Sequence, residues 1–351
     1  MIPVNIDGKT VLVTGAAGFI GAFTCKHLLD RTDARIVGFD NMSDYYDVSL
    51  KEDRLRMVGA AGEVPAGNRF TFIRGDLADS AAVEMVFDEY LPDIVVNLAA
   101  QAGVRYSLED PRAFIDSNIV GFLNVLEACR ASLANGHPVG HLVYASSSSV
   151  YGNGCEPPFS EDQRTDGPIS LYAATKKSDE LMAHAYAKLY GIAATGLRFF
   201  TAYGPMGRPD MAYFKFAEKM REGKPIQIYN NGDMLRDFTY IDDIVAAIAA
   251  VIGTAPQPDG DGVRHKVYNI GNGTPVRLLD FVDILERLLL EEGAIAAPVE
   301  RELLPMQPGD VYRTCADVSA LQRDFGFAPN TPLEAGLREF ARWYAGYRGR
   351  T

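Results

Sequence analysis

Short apolar runs alternate with longer amphipathic stretches through the first two thirds of the chain. Thr10–Thr14, Arg35–Phe39, Phe70–Arg74, Asp93–Leu98, His141–Ala145 and Ala194–Arg198 read as strands. Gly18–Leu29, Ser80–Tyr90, Pro111–Ala131 and Leu171–Tyr190 read as the helices between them. Strands that alternate with helices predict an α/β fold, a doubly wound parallel sheet covered on both faces. The continuous apolar character of Ile94-Val95-Val96 fits a strand buried on both sides.

The rhythm changes near Thr201, where Pro205, Gly207, Pro209, Gly223, Pro225 and Gly232 punctuate shorter elements. This predicts a sheet domain over residues 1–200 and a smaller C-terminal α/β substrate-binding lobe over 201–237 and 271–351. The segment 238–270 is expected to pack back on the sheet, and Thr254–Gly262 to be a surface loop.

The loop after the first strand is Gly15-x-x-Gly18-x-x-Gly21 and opens a helix. Glycines there permit a tight turn and let backbone approach a pyrophosphate at a helix N-terminus. The second strand ends in Asp40, 19 residues after Gly21, where an acid accepts the hydroxyls of an adenosine ribose and repels a 2′-phosphate. NAD is therefore expected rather than NADP. Gly75-Asp76-Leu77 is expected beside the adenine, and Asn97-Leu98-Ala99-Ala100 along the diphosphate and ribose.

Tyr172-x-x-x-Lys176 sets a phenol and an ammonium four residues apart, on one helix face. A nearby cation favours the phenolate, so Tyr172 is the expected acid–base group, with the run Ser146–Ser149 upstream as a source of hydroxyl donors. These parts suit hydride transfer at a secondary alcohol.

Composition narrows the partners. The 351-residue chain carries a formal net charge of −12, which disfavours nucleic acid and anionic membranes. Cys25, Cys129, Cys155 and Cys315 form no CxxC, and the five histidines share no ligand spacing, so neither disulfides nor a metal are expected. The longest apolar run, Ile244–Ile252, is far too short to span a bilayer. A cytoplasmic protein is the expectation.

Together, Thr14-Gly15-x-x-Gly18-x-x-Gly21, Asn97-x-Ala99-Ala100, Ser147 before Ser-Ser-Val-Tyr-Gly, and Tyr172-x-x-x-Lys176 resemble the extended short-chain dehydrogenase/reductases, whose sheet domain is Rossmann-type. Within that group, Asp40–Asp47, Ala102–Ser107, Asp116–Phe122 and Tyr203–Ala212 look like the UDP-glucuronate 4-epimerases. Gln307–Val311 also fits, whereas Tyr312–Cys315 diverges and Met206 stands where that subfamily often has tryptophan.

The resemblance implies that NAD is held by Gly15, Gly18, Phe19, Ile20, Asp40, Asn41, Asp76, Leu77, Ala99, Ala100, Tyr172 and Lys176. It implies a catalytic set of Ser147 on the sugar oxygen at carbon 4, Tyr172 as base and Lys176 on the nicotinamide ribose. UDP-glucuronate or UDP-galacturonate would meet Arg105, Ser147, Ser148, Ser149 and Tyr172, with Thr201 and Arg208 at the carboxylate. Arg236 would meet the diphosphate, and Asp310 and Arg313 the uridine. The implied reaction oxidises carbon 4, turns the 4-keto sugar over, and returns hydride to its other face.

The nearest alternatives are UDP-glucuronate decarboxylase, UDP-glucose 4-epimerase, a 4,6-dehydratase, and a catalytically silent NAD-binding regulator. The dehydratases' Asp-Glu pair has no counterpart in Ser147-Ser148-Ser149. Relatives are usually homodimers, through helices that here are Pro111–Ala131 and Leu171–Tyr190. Ile119, Phe122, Leu123 and Leu126 suit such a contact or ordinary core packing.

Overall fold

The computed structural model describes residues 1–62, 69–306 and 311–348. Seven strands form one sheet, all pairings parallel: β1 Thr10–Thr14, β2 Arg35–Asp40, β3 Phe70–Arg74, β4 Ile94–Asn97, β5 His141–Ser147, β6 Ala194–Phe199 and β7 His265–Ile270. Their spatial order is β7-β6-β5-β4-β1-β2-β3, so the order reverses between β1 and β4. Open α/β sheets bind ligands at such a switch point, outside the carboxyl ends of the strands.

Alternation along β1 shows why these strands are apolar throughout. Val11 and Val13 join the core on one face, with Cys25 and Leu28 of α1 (Phe19–Arg31) and Ile244 and Ile248 of the helix Ile241–Ile252. Leu12 turns to the other face, into a core with Phe87, Phe122 and Ala183. Those residues belong to α2 Ser80–Tyr90, α3 Gly121–Ala134 and α4 Leu171–Tyr190. Asp79 caps α2 by accepting from the Ala81 and Ala82 amides. Ser170 caps α4 by accepting from Ala173, and Gly191 ends it in the left-handed region at φ +69°.

The expected single helix Pro111–Ala131 is interrupted. An α-turn at Pro111–Phe114 passes into a π-helical turn, Ile115–Val120, before α3. The wider turn lets Asn118 point inward: its side chain accepts from Gln101 N, and donates to Gln101 O and to Thr175 Oγ1 on α4. Phe122 and Leu126 are buried in the chain's own core, whereas Leu123 is exposed. Thr254–Gly262 is not wholly a surface loop, because Thr254–Ala255 pairs with Ile2–Pro3 and Ala255 is buried.

A second core lies beyond the sheet's carboxyl edge. Phe214 and Met220 of the helix Ala212–Arg221, Phe281 and Leu285 of Leu278–Glu291, and Phe340 and Tyr344 of Leu333–Arg348 fill it. The short strands Thr201–Tyr203 and Phe238–Tyr240 pair in parallel beside it, with Phe238 stacked on Phe281 at 4.2 Å between ring centroids. Among the described residues no helix is long and apolar enough to cross a membrane.

Candidate active site

One cavity of about 860 Å³ runs from the carboxyl ends of the sheet strands to the second core. At its first end lies the turn between β1 and α1. Gly15 sits at φ +70°, and a Cβ there would come within 2.8 Å of Ala99 N. A Cβ on Gly21 would lie 2.0 Å from Gly15 O. The glycines therefore let the loop press against both β4 and its own helix. No side chain caps α1 at Gly18, and its first turn carries no acid. A helix N-terminus open in this way favours an anion such as a pyrophosphate.

Asp40 is buried at the end of β2. Its Oδ2 accepts from Ala17 N at 3.1 Å and its Oδ1 from Met42 N at 2.8 Å, while Lys51 Nζ stands 3.8 Å away. The carboxylate thus braces the glycine loop besides facing the cavity. Asn41 donates to Asp76 Oδ2 at 2.9 Å, which joins the ends of β2 and β3. Phe19, Ile20, Leu77, Ala99 and Ala100 line the same end. Small residues where backbone comes close, an open helix end and a buried acid together fit a dinucleotide.

The middle of the cavity carries Ser147, Tyr172 and Lys176. Ser147 closes β5, and its Oγ accepts from Ser149 N at 3.2 Å and lies 3.1 Å from Ser149 Oγ. Tyr172 lies on the first turn of α4, its ring edge-on to Phe114 at 6.0 Å. Lys176, one turn on, is 3% exposed. Its Nζ donates to Ala145 O and to Asp179 Oδ2, both at 3.0 Å, which fixes two of its three N–H groups. Burial raises the Asp179 carboxyl to about 6 against the opposing pull of Lys176.

Beneath the serine run lies a buried polar network. Ser146 donates to Glu180 Oε1 at 2.7 Å, and Arg198 forks onto both Glu180 oxygens at 2.7 and 2.9 Å. Arg198 also donates to the Tyr151 hydroxyl, which bonds Asn269. This ties β5, β6, β7 and α4 together under the site.

At the far end, Thr201, Arg105, Arg208 and Arg236 line the cavity with Ser148 and Ser149. Arg208 is paired with Asp210, Nε to Oδ1 at 2.9 Å. Arg105 lies over the Tyr229 ring at 4.8 Å. Arg236 Nη1 donates to Leu235 O and Tyr312 O at 3.1 and 3.0 Å. Asp237, fully buried, accepts from the amides of Asn272, Gly273 and Ala316 and so joins three segments behind Arg236.

Arg313 is exposed and does not line the cavity among the described residues, whereas its neighbours Val311 and Thr314 do. Asp310 lies outside the described residues. Sequence reasoning passed over Lys215 and Lys219, which bring two more cations to the cavity. Their i, i+4 spacing on the helix after Arg208 was the available signal. It also gave no site role to Tyr45 and Tyr46, although they lie in the stretch Asp40–Asp47, nor to Lys51 on the helix that follows, and all three line the cavity.

Comparison with known proteins supplies the remaining constraint. The model of the family described as "NAD dependent epimerase/dehydratase family" matches residues 11–271. UDP-glucuronate 4-epimerase 2 of Arabidopsis thaliana is 46% identical over 350 residues, covering 97% of this chain and 77% of that one. Protein CapI of Staphylococcus aureus is 47% identical over 348 residues, covering 96% and 98%. Among solved structures, the UDP-glucuronic acid 4-epimerase of Bacillus cereus, in complex with UDP-glucuronic acid and NAD, superposes with a TM-score of 0.84. It is 32% identical and covers 96% of this chain and 99% of that one.

Proposed function

Since the chain belongs to the NAD dependent epimerase/dehydratase family, we propose that it is a UDP-glucuronate 4-epimerase, interconverting UDP-glucuronate and UDP-galacturonate with NAD. The observation that carries this reading is that a single cavity holds the glycine turn, Ser147 with Tyr172 and Lys176, and Thr201 with Arg208. The identity to curated UDP-glucuronate 4-epimerases over nearly the whole chain supports the choice of sugar.

Bound NAD supplies a reversible hydride acceptor for carbon 4. Gly15, Gly18, Phe19 and Ile20 seat its pyrophosphate at the α1 N-terminus, and Asp40 takes the adenosine ribose. Lys176 has one N–H left for the second ribose. Tyr172 removes the proton from the carbon-4 hydroxyl and later returns it, while Ser147 holds the same oxygen. Arg236 grips the diphosphate, with Lys215 and Lys219 adding positive charge to the same cavity, so the sugar alone turns over between the two half-reactions.

The acid sugar brings a hazard. A ketone at carbon 4 makes the carboxylate a β-keto acid, which loses carbon dioxide when its bond to carbon 5 aligns with the carbonyl π system. Ser148, Ser149 and Thr201 are suited to hold the carboxylate out of that alignment by hydrogen bonds without a full opposing charge.

A homodimer and a cytoplasmic location belong to the same proposal. Ile115, Leu123 and Leu181, exposed along the π-turn, α3 and α4, support a helix-to-helix contact. The four unpaired thiols suit a reducing compartment.

The test is incubation of the purified protein with UDP-glucuronate and NAD, read by proton NMR. UDP-galacturonate is the expected product, and UDP-pentose or no product refutes the reading. Tyr172→Phe is expected to keep the fold and to lose about 10²–10⁴ in rate, the usual contribution of a general acid–base group.

A further inference from the structure

Arg208 faces the cavity with its fork already filled. Nε donates to Asp210 Oδ1 at 2.9 Å, and Nη2 to Asp210 Oδ2. The second N–H of Nη2 reaches Ala102 O at 3.3 Å. A guanidinium has five N–H groups, one on Nε and two on each terminal nitrogen. The Nε/Nη2 edge is therefore taken by Asp210, and the end-on Nη1/Nη2 edge is half taken by Ala102. Among the described residues, Nη1 is the Arg208 nitrogen left without a protein partner.

Asp210 is built to stay there as an anion. It is about one-fifth exposed, and the Tyr45 hydroxyl stands 3.5 Å from Oδ2. Burial works against the charge, yet Arg208, Lys215 and the Asp210 amide hold the carboxyl below the ordinary aspartate value.

We propose that Asp210 is a positioning residue that restricts Arg208 to a one-point contact with the sugar carboxylate, and so sets the balance between holding the acid sugar and releasing it to turn. This inference rests on the epimerase reading above and deepens it. A bidentate fork fixes both oxygens and the plane of a carboxylate. A sugar that must turn over in each catalytic cycle has to break that grip every time. A contact through Nη1 alone gives the UDP-glucuronate carboxylate one donor and still pivots. Asp210 also leaves the Arg208 pair neutral overall, so no net charge on this pair traps the acid sugar.

The experiment compares Asp210→Ala, Asp210→Asn and Asp210→Glu with the unchanged protein. Freeing the fork is expected to tighten UDP-glucuronate about tenfold, the range of one charge-assisted hydrogen bond. KM should fall and kcat should fall with it, while UDP alone binds as before. Calorimetric titration of UDP-glucuronate and UDP in a Tyr172→Phe background reads the binding arm without turnover. Asp210→Glu, which keeps a carboxylate against the fork, is expected to shift both parameters less than either neutral variant. The isosteric Asp210→Asn carries the same expectation, at smaller size, if Asp210→Ala does not fold.

Neutral variants that bind UDP-glucuronate more weakly, or lose kcat with no gain in affinity, overturn the proposal. An unchanged protein that leaves UDP-glucuronate untouched overturns the epimerase reading itself, and the proposal with it.

Discussion

Arg54 donates to the carbonyl oxygen of Met206 from both Nε and Nη2, at 2.9 and 2.7 Å, across 152 residues of chain. The same guanidinium reaches Gly207 O at 3.2 Å, Ala17 O at 3.1 Å in the glycine turn, and the Tyr46 hydroxyl at 2.6 Å. It is 0% exposed. Met206 sits in the left-handed region at φ +55°, a conformation that persists in a non-glycine residue when its surroundings hold it. One side chain thus locks the turn that faces the dinucleotide to the loop that presents Arg208.

Arg54→Met leaves the carbonyls of Ala17, Met206 and Gly207 without this donor, and the contacts to Ala17 and Gly207 are buried. Each unpaired buried polar group costs about 1–3 kcal/mol, so a loss of at least about 2 kcal/mol is expected. Urea denaturation of the two proteins measures it. A midpoint within error of the unchanged protein would show that water replaces the guanidinium at no cost.

Asp40→Ser removes a ribose acceptor and the brace on Ala17 N together. NAD affinity is expected to fall about tenfold or more, as for loss of a charge-assisted hydrogen bond. Discrimination against NADP should relax as repulsion of the 2′-phosphate disappears. Calorimetric titration of both dinucleotides, after removal of any cofactor that copurifies, reads both effects. An unchanged preference would make Asp40 a loop brace only.

Thr201→Val exchanges one hydroxyl for a methyl of similar shape. Turnover of UDP-glucuronate should slow about tenfold to over a hundredfold, the value of a hydrogen bond to a charged group at roughly 1.5–3 kcal/mol. The share of UDP-pentose should rise as the carboxylate gains freedom to align with the ketone. Chromatography of the products decides. A wild-type rate with a wild-type product ratio would remove Thr201 from the carboxylate.

His141 is expected to contribute to the protein's acid sensitivity. Fully buried, it places Nδ1 3.3 Å from Ile252 O and Nε2 2.8 Å from Thr195 Oγ1. A carbonyl only accepts, so the neutral ring carries its proton on Nδ1. Burial lowers its pKa to about 4, whereas an unfolded histidine titrates near 6.5. Between those values the unfolded chain binds more protons, so stability falls as pH drops from about 6.5 to about 4. His141→Gln is expected to flatten this slope in urea denaturation at pH 7, 5.5 and 4.5. An equal slope in both proteins would assign the acid sensitivity to other groups.

Local pattern made much of this fold readable. Thr10–Thr14, Phe70–Arg74, Ser80–Tyr90 and Leu171–Tyr190 stand where their apolar periods put them. Where the structure caps a helix with Asp79 or Ser170, the boundary is a property of adjacent residues. The cavity-lining glycines, serines, Tyr172 and Lys176 were readable because their chemistry requires fixed short spacings. The π-turn at Ile115–Val120 was not, because a one-residue widening leaves no apolar period of its own. Arg54 was hidden for another reason. Arg54 has its partners on Ala17, Tyr46, Met206 and Gly207, and nothing around position 54 announces four acceptors elsewhere.

The strand order has a bearing on how the chain is assembled. β1 stands inside the sheet; β2 and then β3 add outward on one side, and β4, β5, β6 and β7 add outward on the other. A ribosome delivers them in that same sequence. Each new strand therefore meets an edge that is already formed, and none has to wedge between two neighbours that have closed. Parallel sheets otherwise fold slowly, because distant segments must meet before their contacts are rewarded. Here the search at every step is for one open edge, and β7, which docks on β6 only after the 65 residues between Phe199 and His265 have been made, is the last to find it.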